Sequence, residues 1–166
     1  MGLLRRRTTP EVVRAVVLEP GERRVAHALT THGEPVVATD LGLRLPGRVL
    51  LAWEQIAKAS FAKPVLTVVE LAEVEGTGTR HTVELDLADH RTDLPETVRA
   101  RVAASVAWSS HTRLLPAGGV RIVGRRQRGL EVLDWQLVWD RDTDPRDPDL
   151  RAQAEEHLAA ARRTIG

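Results

Sequence analysis

The sequence predicts an α+β fold built on a strongly bent antiparallel sheet or a partly open barrel. Short runs rich in Val and Leu follow one another between turn residues from about residue 23 to residue 89, which is the spacing of strands joined by hairpins. One amphipathic segment at about 94–108 comes next, and strands do not alternate with helices as they do in a parallel sheet. An added hairpin at 118–139 and a C-terminal helix complete the expected order.

The first predicted strands lie on either side of short turns. The run RRVAHALT at 23–30 is ended by HGEP at 32–35, where Gly and Pro favour a turn. The stretch VVATDLGLRLPGRVLLAWEQI at 36–56 contains two alternating runs separated by Pro46-Gly47. We expect the apolar members of these runs to fill the interior of a curved sheet. They are Leu41, Leu43, Leu45, Leu51 and Trp53.

The clearest strand is RHTVELDLAD at 80–89. Val83, Leu85 and Leu87 alternate there with polar residues. In a strand, successive side chains point to opposite faces of the sheet. One face of this strand is therefore expected to meet the core and the other to meet water.

A helix is predicted at about 94–108. Asp93 is placed to act as N-cap, with Pro95 in the first turn and Glu96 in the position of a capping box. Apolar residues then recur every four positions, which lays one stripe along a helix. We expect this stripe to pack on the sheet. Its members are Leu94, Val98, Val102 and Val106.

The remaining chain predicts a second β region and a final helix. The runs GVRIVGRR and LEVLDWQLVWD flank residues 127–129, with Gly129 in the tight position of a hairpin. Four large apolar residues share one face of the second arm, and we expect them to be buried rather than to form an exposed patch. Apolar residues at helical spacing after Asp147-Pro148 predict the C-terminal helix. The four residues are Leu133, Trp135, Leu137 and Trp139.

A resemblance to a known family arises from these segments. The runs GERRVAHALTT, PVVATDLGLRLPG, RVLLAWEQI and LPETVRARVAASV resemble the bacterial PH-like (GRAM-related) domains, as does the segment Trp53-Glu54-Gln55-Ile56 after a tight hairpin. The resemblance implies that a strongly bent sheet is plugged by its C-terminal helix. Arg makes up all but two of the 24 basic residues, which is similar to the coding bias of high-G+C bacteria.

One domain is predicted over residues 1–166, because a chain of this length buries a substantial core by itself. Within it, residues 20–107 correspond to the PH-like core. Residues 108–166 depart from that pattern, since a plain PH-like domain ends with its helix. The added hairpin and helix are expected to extend the sheet or to cap an open end.

Composition excludes several classes of function. A net charge of +1 with 28% charged residues is not the profile of a strongly basic nucleic-acid binder. The absence of Cys excludes thiolate metal sites and Cys nucleophiles. The start MGLLRRRTTP places its Arg after two Leu and reaches no long apolar run, so we predict neither a signal peptide nor a membrane span. A cytoplasmic protein is therefore expected.

Two segments with acidic or histidine residues resemble metal sites, but neither has the required ligands. A calcium loop beginning at Asp140 would need Gly at its sixth position and a bidentate acid at its twelfth, and these positions hold Pro145 and Arg151. A zinc site would need three or four converging ligands, whereas His81 and Asp86 have opposite parity on one strand. No metal is predicted. The two candidate sets are Asp140, Asp142 and Asp144, and His81, Asp86, Asp89 and His90.

Catalytic and nucleotide-binding motifs are also missing from the sequence. Ser109, Ser110 and His111 are adjacent and do not converge from separate segments as a triad does; they are expected to lie at a frayed helix end. The run GTGTRH places His81 where a third Gly is needed to hold phosphate. No catalytic residue and no cofactor is predicted, and the protein is not expected to be an enzyme.

One candidate anion-binding site remains, at the tip of the added hairpin. Arg125, Arg126 and Arg128 are expected to be exposed there. Exposed Arg guanidinium groups can hold a phosphate or carboxylate through two hydrogen bonds, and a rigid turn would fix their positions. The same pattern is typical of a surface that serves only solubility. The first hairpin loop, at 31–34, is not basic, whereas eukaryotic PH domains that hold phosphoinositides use basic residues there.

The sequence therefore favours a non-enzymatic interaction or scaffold module with a protein partner or a homodimer, and without nucleic acid. The alternative is a peripheral membrane or anionic-ligand binder that uses Arg5, Arg6, Arg7 and the hairpin tip. We expect weak or no membrane binding, since stable anchoring needs an apolar signal besides positive charge and the sequence shows none. An enzyme of unfamiliar chemistry is a third class.

Overall fold

The computed structural model describes residues 8–73, 80–89 and 91–165. This part of the chain has an α+β fold with three antiparallel sheets and a C-terminal helix. Its contacts divide it into two compact units. Among the described residues, the first unit comprises 8–72 and 80–101, and the second comprises 73 and 102–165. The prediction of one domain over the whole chain stays a prediction.

The first unit contains a short helix and two antiparallel meanders in which consecutive strands pair. A single 3-10 turn, Trp53–Gln55, leads from the first meander to the second. The elements are α1 (Glu11–Arg14), β1 (Arg24–Leu29), β2 (Pro35–Thr39), β3 (Gly42–Arg44), β4 (Leu50–Ala52), β5 (Ile56–Ala62), β6 (Val65–Glu73) and β7 (Arg80–Asp86).

Two predicted turns of the first meander are confirmed. Gly33 and Gly47 adopt positive φ angles of 78° and 67°, a conformation that Gly reaches without the steric cost of a Cβ. Gly42 serves a different purpose, since a Cβ there would lie 2.3 Å from the carbonyl oxygen of Leu51. The backbones of β3 and β4 therefore approach each other closely at this glycine.

The predicted interior of the first meander is confirmed. All five apolar side chains expected there are buried, and Leu43 is fully enclosed. Trp53 lies in the 3-10 turn, where its indole N–H donates to the carbonyl of Thr39 at 3.1 Å. This bond satisfies the polar end of the ring, so the rest of the indole can be buried. The five are Leu41, Leu43, Leu45, Leu51 and Trp53.

The two meanders meet where β1 and β7 end. Thr30 and Leu87 form an isolated antiparallel bridge. The N–H of Thr31 donates to Asp86 and the N–H of Ala88 donates to Leu29, each at 2.9 Å. Because the pairing is limited to this bridge within the described residues, the sheets form a partly open arrangement and not a closed barrel.

Helix α2 (Leu94–Ser105) follows β7, and three members of its predicted stripe are buried: Leu94, Val98 and Val102. The helix ends three residues before the predicted position 108. The fourth member, Val106, begins strand β8 (Val106–Arg113), whose burial alternates residue by residue. Val106 fits both the four-residue repeat of the helical stripe and the two-residue alternation of β8. The sequence pattern therefore did not distinguish a helix from a strand at this position.

The expectation of a frayed helix end at Ser109, Ser110 and His111 is wrong. These residues lie inside β8, which pairs along its length with the next strand. Val106 and Thr112 are β-branched and Trp108 is aromatic. Such residues favour the pleated surface of a strand. Tertiary pairing with a long neighbour therefore decides the conformation.

The second unit is a three-stranded sheet packed against a helix. The predicted hairpin and C-terminal helix are confirmed as β9 (Gly119–Arg126), β10 (Leu133–Trp139) and α3 (Pro148–Ile165), and β8 adds a third strand that was not predicted. Leu114, Val120, Leu150 and Ala154 form a buried cluster, against which Leu137 and Trp139 pack.

The apolar face of β10 is only partly buried. Every residue of this strand, including Trp135 and Trp139, has intermediate exposure. Trp108 meets Trp135 edge to face, with ring centroids 5.4 Å apart. Gly124 lies opposite both Trp residues in the sheet register, and a Cβ there would crowd the ring of Trp135. The expected burial of this face is therefore incomplete.

We predict that Val98→Asp lowers the free energy of unfolding by several kcal/mol, because an unpaired charge would be forced into a fully buried position. Urea unfolding at neutral pH measures the effect. Ala100→Asp is the matched control, since Ala100 is exposed on the same helix. Equal stability of the two variants would show that α2 does not pack on the sheet.

Candidate functional site

The three Arg residues predicted at the hairpin tip are not brought together as an exposed set. Arg125 is 3% exposed, and its Nη1 donates to the Ser105 hydroxyl at 2.6 Å. It belongs to β9, the central strand of its sheet, and its partner Ser105 lies at the end of α2. The expected exposure of Arg125 is wrong, and only Arg126 and Arg128 are exposed.

Two of the histidine and acidic residues that are candidate metal ligands have other partners. His81 Nδ1 lies 2.7 Å from Glu70, and Asp144 accepts bonds from both the backbone and the side chain of Arg146. Among the residues that the structure describes, no three His, Asp or Glu side chains converge as metal ligands would. Three parts of the chain considered in the sequence analysis lie outside the described residues: residues 1–7 with Arg5–Arg7, residues 76–79 of the GTGTRH run, and His90.

A hydrogen-bonded pair in the second unit was not predicted. His111 Nε2 lies 2.8 Å from Asp140 Oδ2. Both groups lie directly over Gly119, where a Cβ would be 2.4 Å from the carboxylate and 2.8 Å from the imidazole. The pair thus occupies the space that a side chain at position 119 would fill.

The first unit contains an ion pair whose acidic member is fully enclosed. The side chain of Glu22 has no exposed surface, and it accepts bonds from Arg44 Nε at 2.9 Å and from Arg44 Nη2. The backbone N–H of Glu19 also donates to it, at 2.7 Å. Burial by itself would raise the pKa of Glu22, but the bonds from Arg44 and Glu19 outweigh burial and lower this pKa to about 2.

A second pair anchors the other side of the same hairpin. Arg48 binds Glu70 of β6 through both guanidinium Nη atoms, and His81 of β7 binds the same carboxylate. The bond from Arg48 is the main cause of a lowered pKa of Glu70, with burial acting against it and His81 reinforcing it. The turn between β3 and β4, which belongs to the first meander, is therefore also bound to the second meander through Glu70.

Two concave surfaces lie within the first unit. One, of about 550 Å³, lies between residues 16–19, 34–35 and 44–49. Its two cationic side chains, Arg44 and Arg48, are already bound to buried glutamates. The cationic groups of this groove therefore stabilise the fold.

The other concave surface, which we name the β1 cleft, has a volume of about 610 Å³. It runs along residues 25–29 of β1. Its opposite wall consists of residues 88–89 and 91–93, and Thr8 and Pro10 close one side. The cleft is thus bounded by most of β1 and by the segment that leads into α2.

The backbone of β1 presents its free edge to this cleft. The N–H of Thr30 donates to Glu34, so alternate residues, Ala26 and Ala28, also bond toward β2. The backbone groups of His27 and Leu29 consequently point away from β2. Two bonds confirm this direction, because the carbonyl of His27 accepts from the Thr92 hydroxyl at 2.8 Å and that of Leu29 accepts from Ala88.

The edge is only partly used by the opposite wall. Among the described residues, no group bonds to the N–H of His27. The register shifts between Arg24 and Ala26, which marks a β-bulge, and Val25 at this bulge is 46% exposed. Toward its N-terminal end, β1 therefore offers an open backbone edge and an exposed apolar side chain.

Two charged side chains at the far wall have no ionic partner among the described residues. Arg91 and Asp93 are exposed and make no ion pair within 4 Å there. Thr92 between them accepts the N–H of Leu94 at the start of α2, while the carbonyl of Asp93 accepts the N–H of Thr97 at 2.9 Å. Asp93 therefore holds the predicted N-cap position, and the side-chain cap comes from the Thr92 hydroxyl. The cleft combines a mostly apolar wall along β1 with charged side chains on the opposite wall, and ligand sites commonly combine apolar and polar groups.

Sequence reasoning missed the cleft and both ion pairs. Glu22 and Arg44 are 22 positions apart, as are Arg48 and Glu70. No local pattern connects residues at that distance without knowledge of the fold. The one available signal was the run RRVAHALT, whose apolar residues predicted β1 but not its place at a sheet edge.

Comparison with known proteins gives no match: no family model, no curated protein and no solved structure matches this chain significantly. The geometry of the described residues therefore carries the functional argument by itself.

We predict that Glu22→Gln destabilises the protein at neutral pH and loses this effect in acid. The pKa of Glu22 is about 2 in the folded state against a usual value of 4.5. The ionised carboxylate therefore stabilises the fold above about pH 4.5, by about 3 kcal/mol. This contribution disappears as the pH falls from about 4.5 toward 2.

Urea unfolding of both proteins at several pH values measures this difference. Glu34→Gln serves as a control, since Glu34 is exposed in the neighbouring turn. A destabilisation by Glu22→Gln that stays constant down to the acid limb would show that the ion pair does not cause it.

Proposed function

We propose that the first unit is a non-enzymatic interaction module of PH-like architecture, which binds an extended peptide segment of a protein partner in the β1 cleft. The architecture is supported by a four-stranded and a three-stranded antiparallel meander followed by a helix with buried Leu94 and Val98. This order agrees with a bent sheet plugged by its C-terminal helix. The proposal takes the protein to be cytoplasmic, as the sequence predicts.

The observation that carries the proposal is the free edge of β1 beside the cleft. An extended peptide that lies on a sheet edge gains main-chain hydrogen bonds, and pockets for alternate side chains give it specificity. The N–H of His27 is a donor of this kind, directed into a cleft long enough for several residues. A partly unpaired edge beside a preformed cleft offers backbone groups with which such a peptide can pair.

The walls define the kind of peptide. Val25, His27 and Leu29 belong to the same parity of β1, and all are at least partly exposed. A peptide on this edge would place every second side chain beside them, because residues on paired strands face the same side. Apolar or β-branched residues at alternate positions are therefore favoured, with polar residues next to Arg91 and Asp93.

We expect Val25→Asp to abolish peptide binding, since it places a charge on the apolar wall. A library of short peptides with Val or Ile at alternate positions supplies the probes, and calorimetry with the selected peptides measures affinity. Val12→Asp is the matched control, because Val12 is 45% exposed and does not line the cleft. Binding should also protect the amide of His27 from hydrogen exchange.

Three results would count against this function. Selected peptides that bind both variants equally would place their site elsewhere. Binding without protection of the His27 amide would exclude pairing with the strand edge. A concentration-dependent dimer that is lost in Val25→Asp, with no peptide selected, would assign the cleft to a second copy of this chain.

A further inference from the structure

The tip of the β9–β10 hairpin, residues 126–132, carries cationic and apolar side chains that are all exposed. Arg126 and Arg128 are exposed at the end of β9 and in the turn. Leu130 is 56% exposed and Val132 is 68% exposed. Large apolar side chains at such exposure have no use in the packing of the second unit. The hairpin tip thus combines exposed cationic and exposed apolar side chains that contribute little to the packing of the second unit.

The turn itself is well defined. The N–H of Leu130 donates to the carbonyl of Gln127 at 3.3 Å, and Gly129 adopts a φ of 77°. Such a turn requires Gly at the position of positive φ. Leu130 is therefore the last residue of a well-defined turn that has Arg128 and Gly129 at its centre.

Aromatic side chains lie behind the hairpin tip on the same sheet face as Arg126. Leu133 pairs with Arg126, and Trp135 and Trp108 both pair with Gly124 two positions further along. Partners in a sheet share a face, and so do residues two apart on one strand. Both indoles are partly exposed. Trp side chains with an apolar body and a polar N–H are enriched at membrane–water interfaces.

We propose that the hairpin tip docks on the surface of an anionic membrane, with Leu130 and Val132 in the interface and Arg126 and Arg128 against the lipid headgroups. Anionic surfaces attract nearby Arg, and membrane association requires a second, apolar signal. The sequence predicted weak or no binding because that signal was missing. The structure supplies it at the tip, beside the two exposed Arg residues.

Two further facts shape the proposal. Glu131 is exposed in the same tip and opposes the two Arg charges, so positive charge alone does not suffice and the apolar pair is required. In the described residues, no helix is long and apolar enough to cross a membrane. The inference is independent of the peptide-binding cleft, because it concerns the second unit alone.

Vesicle co-sedimentation tests the proposal, with vesicles of equal parts phosphatidylcholine and phosphatidylserine and with vesicles of phosphatidylcholine alone. We expect binding to the anionic vesicles only, weakened by added salt. Leu130→Ser with Val132→Ser, and separately Arg126→Ser with Arg128→Ser, should each reduce the partition coefficient about ten-fold. Val17→Ser with Val49→Ser is the control, since these valines are 82% and 79% exposed in the first unit, and it should bind like the wild type.

Tryptophan emission gives a second measurement. Addition of the anionic vesicles should shift the emission to shorter wavelength, and Trp135→Phe should reduce this shift. Sedimentation of the Leu130/Val132 variant at wild-type level would overturn the proposal, because binding would then be purely electrostatic. Equal binding to both kinds of vesicle, or none to either, would also overturn it.

Discussion

The fold of the first unit depends on one buried carboxylate and the guanidinium that neutralises it. Glu22 precedes β1 and Arg44 ends β3, so their bond ties the entry of the chain to the middle of the first meander. A buried charge that loses its partner costs several kcal/mol, which makes any arrangement that separates these residues unfavourable. Arg48 and Glu70 extend the same constraint to the second meander. The turn between β3 and β4 is thereby fixed from both sides.

This constraint explains why the open part of the sheet lies elsewhere. Trp53 and the leucines of the first meander fill its interior, and the cationic groups of the nearby groove are already engaged. At β1 the pairing with the end of β7 stops after one bridge. Within the described residues, the free edge of β1 and the cleft beside it are therefore one place where backbone groups stay available to another molecule.

Local patterns in the sequence predicted those features that depend on neighbours in the chain. Gly33 and Gly47 marked turns because positive φ favours Gly, and alternation marked the buried side of β3 and β4. Two predictions failed where one residue satisfied two patterns or where a strand acquired an unexpected neighbour. Val106 fits both a helical stripe and a strand. Arg125 lies buried in β9, which has the unpredicted β8 as a neighbour, and it bonds to Ser105 just before that strand. The cleft was beyond prediction, since its walls are about 60 positions apart along the chain.

The glycine beneath His111 and Asp140 has a mechanical consequence. β8 carries His111, and Asp140 directly follows β10, so the two groups belong to the outer parts of a three-stranded sheet and meet above Gly119 of the central strand. A side chain at position 119 would push His111 and Asp140 apart, and β8 and β10 would then have no direct contact at this point. With glycine in place, the imidazole and the carboxylate join the two edges directly. Opening of one outer strand at this end breaks the contact that holds the other, so we expect the amides of both strands near Gly119 to exchange together.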